Sequence, residues 1–406
     1  MKVLLLTPCG LPVPAVHGGA VATLTESIAK CNEVFKKIDL TIISSYDKEA
    51  VSKSSEYKKT DFIFIKEPFL IKALDVFIDR MISLFKGKKH FVPRRFLWKI
   101  LAKNQIAKKL KTDCFDRVVF ENATFFLKIL KNKKLSAKYN GKLFFHLHND
   151  IPQNVYVGGL LQCKVLSISN YLINGVLKLC GDSMKSNCYV LKNGVDTSIF
   201  NTNSISLNKI SSTKKIFLNI SEEKKVILFV GRITPYKGVG KLVEAFCSLD
   251  NNSKIELVIV GSTNFGKKQT SDFEEEIKKK VEKIDNAIML GYVPQNDLPI
   301  FYKIADVVVL PSTWPEPAGL TMVESLMCGA PLITTNVGGI PEYIDGLDAT
   351  ILNNDDCLVE NIRDSIVKII SNEPFYKQRA FNAGKKMLKN YSSESFYNSF
   401  VSLILD

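Results

Sequence analysis

A chain of 406 residues, 46% of them hydrophobic, is too long for one ordinary core and points to two or three domains. Its net charge of +14 is uneven, with 32 basic against 16 acidic residues over 1–200 and 23 against 25 over 201–406, and no nucleic-acid motif accompanies the basic half. No apolar run reaches the roughly 18 to 20 residues of a spanning helix, and the start is too short for a secretory signal, so a cytoplasmic protein is expected.

Strand-like apolar runs fall at residues 3–6, 40–43, 62–65, 118–120, 143–146 and 165–168. They alternate with segments of helical period, the pattern of parallel sheets covered on both faces. Between the third and fourth runs, residues 80–111 hold eleven basic residues and no acid. Leu84, Phe85, Phe91, Phe96, Leu97, Trp98, Ile100 and Leu101 interleave with them, which suits a segment lying on an anionic membrane surface. A solvated basic helix with one core-facing stripe is the alternative. A polar stretch at 201–215, rich in Ser, Asn and Thr, reads as a linker. Five more strand-like runs follow it, at 226–230, 257–260, 288–290, 307–310 and 332–334. The pattern predicts an α/β protein of two doubly wound domains, 1–200 and 201–387, facing each other across a cleft. The nine cysteines form no Cys-x-x-Cys pair and are odd in number, so reduced core thiols are expected.

Four segments carry candidate chemistry. Glu316 precedes the helical period Leu320, Val323, Leu326, Met327, and Glu324 lies inside it. Between them Pro317, Ala318 and Gly319 leave room for a ligand at a helix start, where free N–H groups favour an anion. The plainer alternative is an acid favoured by the helix dipole and an acid on a solvated face. Arg232 and Lys237 flank a turn after the run 226–230, bounded by Gly231 and Gly238, and suit a phosphate clamp: Arg as a planar fork, Lys as a point charge. His146 and His148 are two apart at a strand end and point the same way if the strand continues, followed by Asn149 and Asp150. Gly18 and Gly19 follow the first strand and open a helix, permitting backbone approach to a phosphate or acceptor, or only a tight turn. No Asp-x-Asp occurs, and no His, Asp and Glu cluster has metal-ligand spacing, so no metal cofactor is expected.

The stretch Glu316–Glu324, continued through Cys328-Gly329-Ala330-Pro331 to Gly338-Gly339-Ile340-Pro341-Glu342, resembles the donor-site signature of the retaining glycosyltransferases of family 4. Residues 229–238 resemble that family's phosphate-binding loop, and Asn193-Gly194-Val195-Asp196 with Phe200 its interdomain junction. The likeness is ordered over about 190–345 and diffuse over the first 140 residues. It implies a GT-B fold, two Rossmann-like domains whose last helix, within about 388–406, crosses back onto the first. It further implies a metal-independent transfer of a hexose from a nucleotide sugar, a UDP-sugar first, to a lipid-linked or polysaccharide acceptor in lipopolysaccharide, capsule or exopolysaccharide synthesis. The catalytic residues would be Arg232, Lys237, Glu316 and His148. Gly231, Pro317, Ala318, Gly319, Leu320 and Glu324 would complete the donor site, with Glu324 on the ribose and Glu316 on the transferred sugar. Gly18, Gly19, His146, Asn149 and Asp150 would serve acceptor or phosphate. A nucleotide-sugar 2-epimerase of the same architecture, or a non-catalytic sugar-nucleotide-binding protein, are the competing readings.

Overall fold

The computed structural model describes residues 1–8, 10–86, 95–202, 205–250, 252–263 and 270–405. Phe91 and Arg94 of the basic segment, and Cys9, lie outside these residues. The chain divides into two compact units, residues 1–191 with 397–406, and residues 192–396.

The first unit is built on seven strands: β1 (Lys2–Leu6), β2 (Asp39–Ser45), β3 (Thr60–Ile65), β4 (Arg117–Glu121), β5 (Leu143–Leu147), β6 (Lys164–Ser167) and β7 (Cys188–Val190). They pair in the order β3-β2-β1-β4-β5-β6-β7, every neighbouring pair parallel. The second unit carries β8 (Lys225–Val230), β9 (Ile255–Val260), β10 (Ala287–Gly291), β11 (Val307–Leu310), β12 (Leu332–Thr335) and β13 (Thr350–Leu352). Its order is β10-β9-β8-β11-β12-β13, again all parallel. Helices cover both faces, so the central strands are apolar on successive residues: β11 is buried along its whole length and β8 after its first residue. Each order reverses direction once, between β1 and β4 and between β8 and β11. Doubly wound sheets bind ligands at such a reversal, outside the carboxyl ends of the strands.

The unit boundary lies earlier than the polar composition of 201–215 suggests. Asn193 donates its N–H to the Tyr343 hydroxyl at 3.0 Å and Val195 to the Tyr391 carbonyl at 2.7 Å, while Phe200 is fully buried. Those contacts tie 192–200 into the second unit. The stretch read as a linker forms the helix Leu207–Ser212, whose Ser206 side chain accepts the Lys209 N–H, and a wider turn at Thr213–Phe217. At the other end, the helix Ser393–Leu405 joins the first unit from Tyr397 onward. There the Tyr397 hydroxyl donates to Asn32 Oδ1 at 2.6 Å, and Arg117 Nε donates to the Ile404 carbonyl at 2.5 Å.

The basic segment is arranged differently from a uniform surface strip. Trp98 is buried at 1% exposure in the helix Phe96–Thr112, so it cannot insert into a headgroup layer. Asp75 is the reason: its carboxylate accepts the N–H groups of Leu97 and Trp98 at 2.9 and 3.0 Å and fixes the start of that helix against the preceding one. Arg95 is engaged as well, paired with Glu67 and stacked 4.5 Å from the Trp98 ring. The apolar surface lies instead on the helix Phe69–Lys86, where Phe69, Leu70, Leu74 and Phe77 are exposed. Among the described residues no helix is long and apolar enough to cross a membrane.

Candidate functional site

The reversal between β8 and β11 brings together two loops that are distant in sequence. Gly238 ends the first loop with φ +71°, and a Cβ there would fall 1.8 Å from the Pro311 carbonyl oxygen of the second. Only glycine allows that approach. The result is a direct contact: Lys237 Nζ donates to Glu316 Oε2 at 2.6 Å. Ser312 Oγ donates to the other carboxylate oxygen. The backbone of Glu316 is held too, its carbonyl accepting the Gly339 N–H at 2.7 Å, and a Cβ on Gly338 would meet that same carbonyl at 2.2 Å. A cavity of about 20 Å³ lies here, lined by Lys237, Ser312, Glu316, Gly319, Thr321 and Met322 among others. Arg232, in the same loop as Lys237, is exposed and makes no ion pair among the described residues. Gly319 begins the helix Leu320–Met327, and no side chain caps it. Lys237, held by Glu316, and the uncapped start of that helix are groups of the kind that favour an anion.

Glu324 faces the other way from that helix. It is 4% exposed and accepts hydrogen bonds from Gln295 Nε2 and the Tyr302 hydroxyl, each at 3.1 Å. Burial pushes its carboxyl up to about 7 despite those two bonds, and pushes the Tyr302 phenol well above its usual range. A solvated face position is thereby ruled out.

In the first unit, register places Glu121 of β4 opposite His146 of β5. His146 Nδ1 and His148 Nε2 both lie 3.0 Å from Glu121 Oε2, and the two rings are 4.0 Å apart. Burial alone disfavours ionised Glu121, but its contacts with His146 first and His148 second pull it down to about 2. Burial and the neighbouring His146 push His148 down to about 4, so it is neutral at pH 7. An ionised carboxylate only accepts, hence His148 carries its proton on Nε2 and leaves Nδ1 bare. The two histidines do share a side, but as partners of a buried acid. These three could hold a metal ion, a cluster that spacing along the chain does not reveal because Glu121 is 25 residues from His146. Their separations are those of hydrogen bonds. Asn149 and Asp150 are exposed beyond the strand, and Asp150 accepts from Tyr171. Gly18 and Gly19 have φ of +69° and +98° and precede the helix Ala20–Phe35; a side chain on Gly19 would run into Leu11. That packing accounts for the second glycine without a ligand.

Sequence reading overlooks Glu121, Ser312, Gln295 and Tyr302. Glu121 had one signal, an acid closing an apolar run. The others are ordinary polar residues made relevant by contacts across loops.

Two doubly wound parallel sheets define an α/β protein, and the reversal of the second carries Lys237 against Glu316. Residues 211–387 match the family described as glycosyl transferases group 1. It is 27% identical over 252 residues to an uncharacterised glycosyltransferase of Methanocaldococcus jannaschii, covering 61% of each chain. It is 34% identical over 134 residues to a lipopolysaccharide 1,2-N-acetylglucosaminetransferase of Salmonella typhimurium, covering 32% of this chain and 35% of that one. Both alignments thus span less than two thirds of the relatives' own lengths. The crystal structure of Anabaena HepE in complex with UDP-glucose has the same fold, with a TM-score of 0.71, 17% identity and coverage of 100% of this chain and 99% of that one.

Proposed function

We propose that the protein is a retaining, metal-independent hexosyltransferase acting on a nucleotide sugar. The observation that carries this is the meeting of Lys237 and Glu316 at the reversal point, on the loop that also carries Arg232 and ahead of the helix that holds Glu324. Breaking the bond from the anomeric carbon to a diphosphate leaves negative charge on the phosphate. Arg232 and Lys237, on the loop after β8, stabilise that charge, and the backbone around Ala318, Gly319 and Leu320 adds N–H dipoles. Glu316, released from Lys237 as the diphosphate enters, accepts a hydroxyl of the transferred sugar. Glu324, ionised, takes the ribose hydroxyls. Gly231 and Pro317 shape the two loops. In the first unit, Asn149 and Asp150, exposed beyond β5, offer polar contacts to an acceptor, and the buried His148 acts only through its contact with Glu121.

The lipopolysaccharide relative and the UDP-glucose complex of the structural neighbour support a UDP-hexose donor and a cell-surface polysaccharide or lipid-linked acceptor. Peripheral attachment to an anionic membrane surface from the cytoplasm fits the excess of basic residues in 1–200 and the exposed Phe69, Leu70, Leu74 and Phe77.

Incubation with a panel of nucleotide sugars and detection of released nucleoside diphosphate tests the reading. Release with at least one donor, undiminished by excess chelator and giving product of the donor's anomeric configuration, is the expected result. Loss of activity with chelator, regained on adding a divalent ion, would refute metal independence. Conversion of the nucleotide sugar to an isomer without diphosphate release would favour a 2-epimerase.

A further inference from the structure

Tyr236 and Trp314 stand out at the rim of the donor loops. Tyr236 is 59% and Trp314 54% exposed, although each is a large aromatic one or two residues from Lys237 or Glu316. Their rings meet edge to face with centroids 5.3 Å apart. Single apolar residues on a surface are ordinary, but this pair is built. The Thr313 N–H donates to the Tyr236 carbonyl at 2.9 Å, and Asn354 Nδ2 donates to the Thr313 carbonyl at 3.0 Å. Pro235 and Pro315 restrict the backbone on either side. Two aromatic rings are therefore held in place with more than half of each side chain's residue surface left in water.

Position decides what they would bind. Gln295, a partner of Glu324, follows β10 at one edge of the sheet, whereas Asn354 follows β13 at the other. The Lys237–Glu316 contact lies between, at the carboxyl ends of β8 and β11. With the ribose at Glu324, which rests on the donor reading above, the aromatic pair lies beyond the diphosphate and the transferred sugar. A pyranose presents axial C–H groups on one face and hydroxyls at its rim, a good match for the electron-rich face of an indole or phenol with the hydroxyls left in water.

We propose that Tyr236 and Trp314 form a saccharide subsite that stacks a pyranose ring of the acceptor. It is a second carbohydrate-binding feature, separate from the phosphate clamp.

The protein's two tryptophans make the test direct, since Trp98 is 1% exposed and iodide therefore quenches Trp314 selectively. The probes are the methyl pyranosides of glucose, galactose, mannose and N-acetylglucosamine, followed by saturation-transfer NMR and by protection of Trp314 from iodide. UDP affinity is measured in parallel by calorimetry. At least one glycoside is expected to show saturation at its ring C–H protons and to protect Trp314. Trp314→Ala and Tyr236→Ala should each weaken that binding by about fivefold, Trp314→Phe should weaken it less, and UDP affinity should stay within about twofold by the same reasoning. Equal saturation in wild type and Trp314→Ala, no saturation with any glycoside, or a parallel loss of UDP affinity would overturn the subsite. Protection of Trp314 by anionic vesicles and not by glycosides would overturn it in favour of lipid contact. Wild type that binds glycosides through Trp314 but no UDP would refute the donor site and leave the subsite standing.

Discussion

Replacing Glu324 by glutamine removes one buried ionisable group and keeps its shape, so its effect on stability should depend on pH in a defined direction. In the folded protein the carboxyl titrates at about 7, against 4.5 for the ordinary group, because burial disfavours the anion more than Gln295 and Tyr302 favour it. A folded-state value above the unfolded one means the native state holds the proton more tightly. The stabilisation is complete below pH 4.5 and is lost as pH rises through 7. At roughly 1.4 kcal/mol per pH unit over the interval from 4.5 to about 7, the loss is at most about 3.5 kcal/mol. Glutamine never ionises and escapes this loss. Its amide can accept from only one of the two donors that Glu324 satisfies, which costs about 1 kcal/mol at every pH. The variant should thus be slightly less stable than wild type near pH 4.5 and about 2 kcal/mol more stable by pH 8. For a unit of this size that is about 4 to 8 °C in melting temperature. Glu121, held down to about 2, titrates in both proteins and cancels from the difference. Calorimetric melts of both proteins from pH 5 to 8.5 measure it. A melting difference that does not change with pH would show that Glu324 is already ionised at pH 5 and would refute the argument. Nucleotide binding should move oppositely: UDP should bind wild type more tightly at pH 8 than at pH 5.5, and bind Glu324→Gln weakly at both.

Arg232→Ala and Lys237→Ala should each lower transfer about 100-fold at saturating donor, with unchanged circular dichroism, and wild-type turnover in both would remove the clamp. Glu316→Ala should reduce turnover as well as donor affinity, because its hydroxyl contact lies at the reacting sugar; a defect confined to KM would deny it that position. In sedimentation with anionic vesicles the protein should bind at low salt and release at high salt. Leu74→Ser with Phe77→Ser should lower that binding, since both side chains are exposed. Indifference of wild type to anionic vesicles would leave that helix face without a membrane role.

Periodicity and motif order located eleven strands, the two-unit α/β plan and the two loops that meet at the reversal of the second sheet, because consecutive apolar residues mark strands buried on both faces and glycines mark forced turns. The edge strands β7 and β13 escaped it: each has three residues, half-buried or exposed, too short to carry a pattern. Lys237 and Glu316 each stood out in the sequence as candidate site residues, yet 79 residues of chain hide that they touch. Glu324 appeared as a helix acid; only the packing of Tyr302 and Gln295 over it reveals a buried group with a raised pKa. Trp98 sat in a basic, aromatic-rich run that suggested a surface, and Asp75 on the neighbouring helix turned it inward. Local sequence determines which segments are strands and where the backbone must turn, since those depend on neighbouring residues. Partners, burial and protonation depend on residues brought close by the fold, and for Glu121, His146 and His148 only the alignment of β4 with β5 decides them.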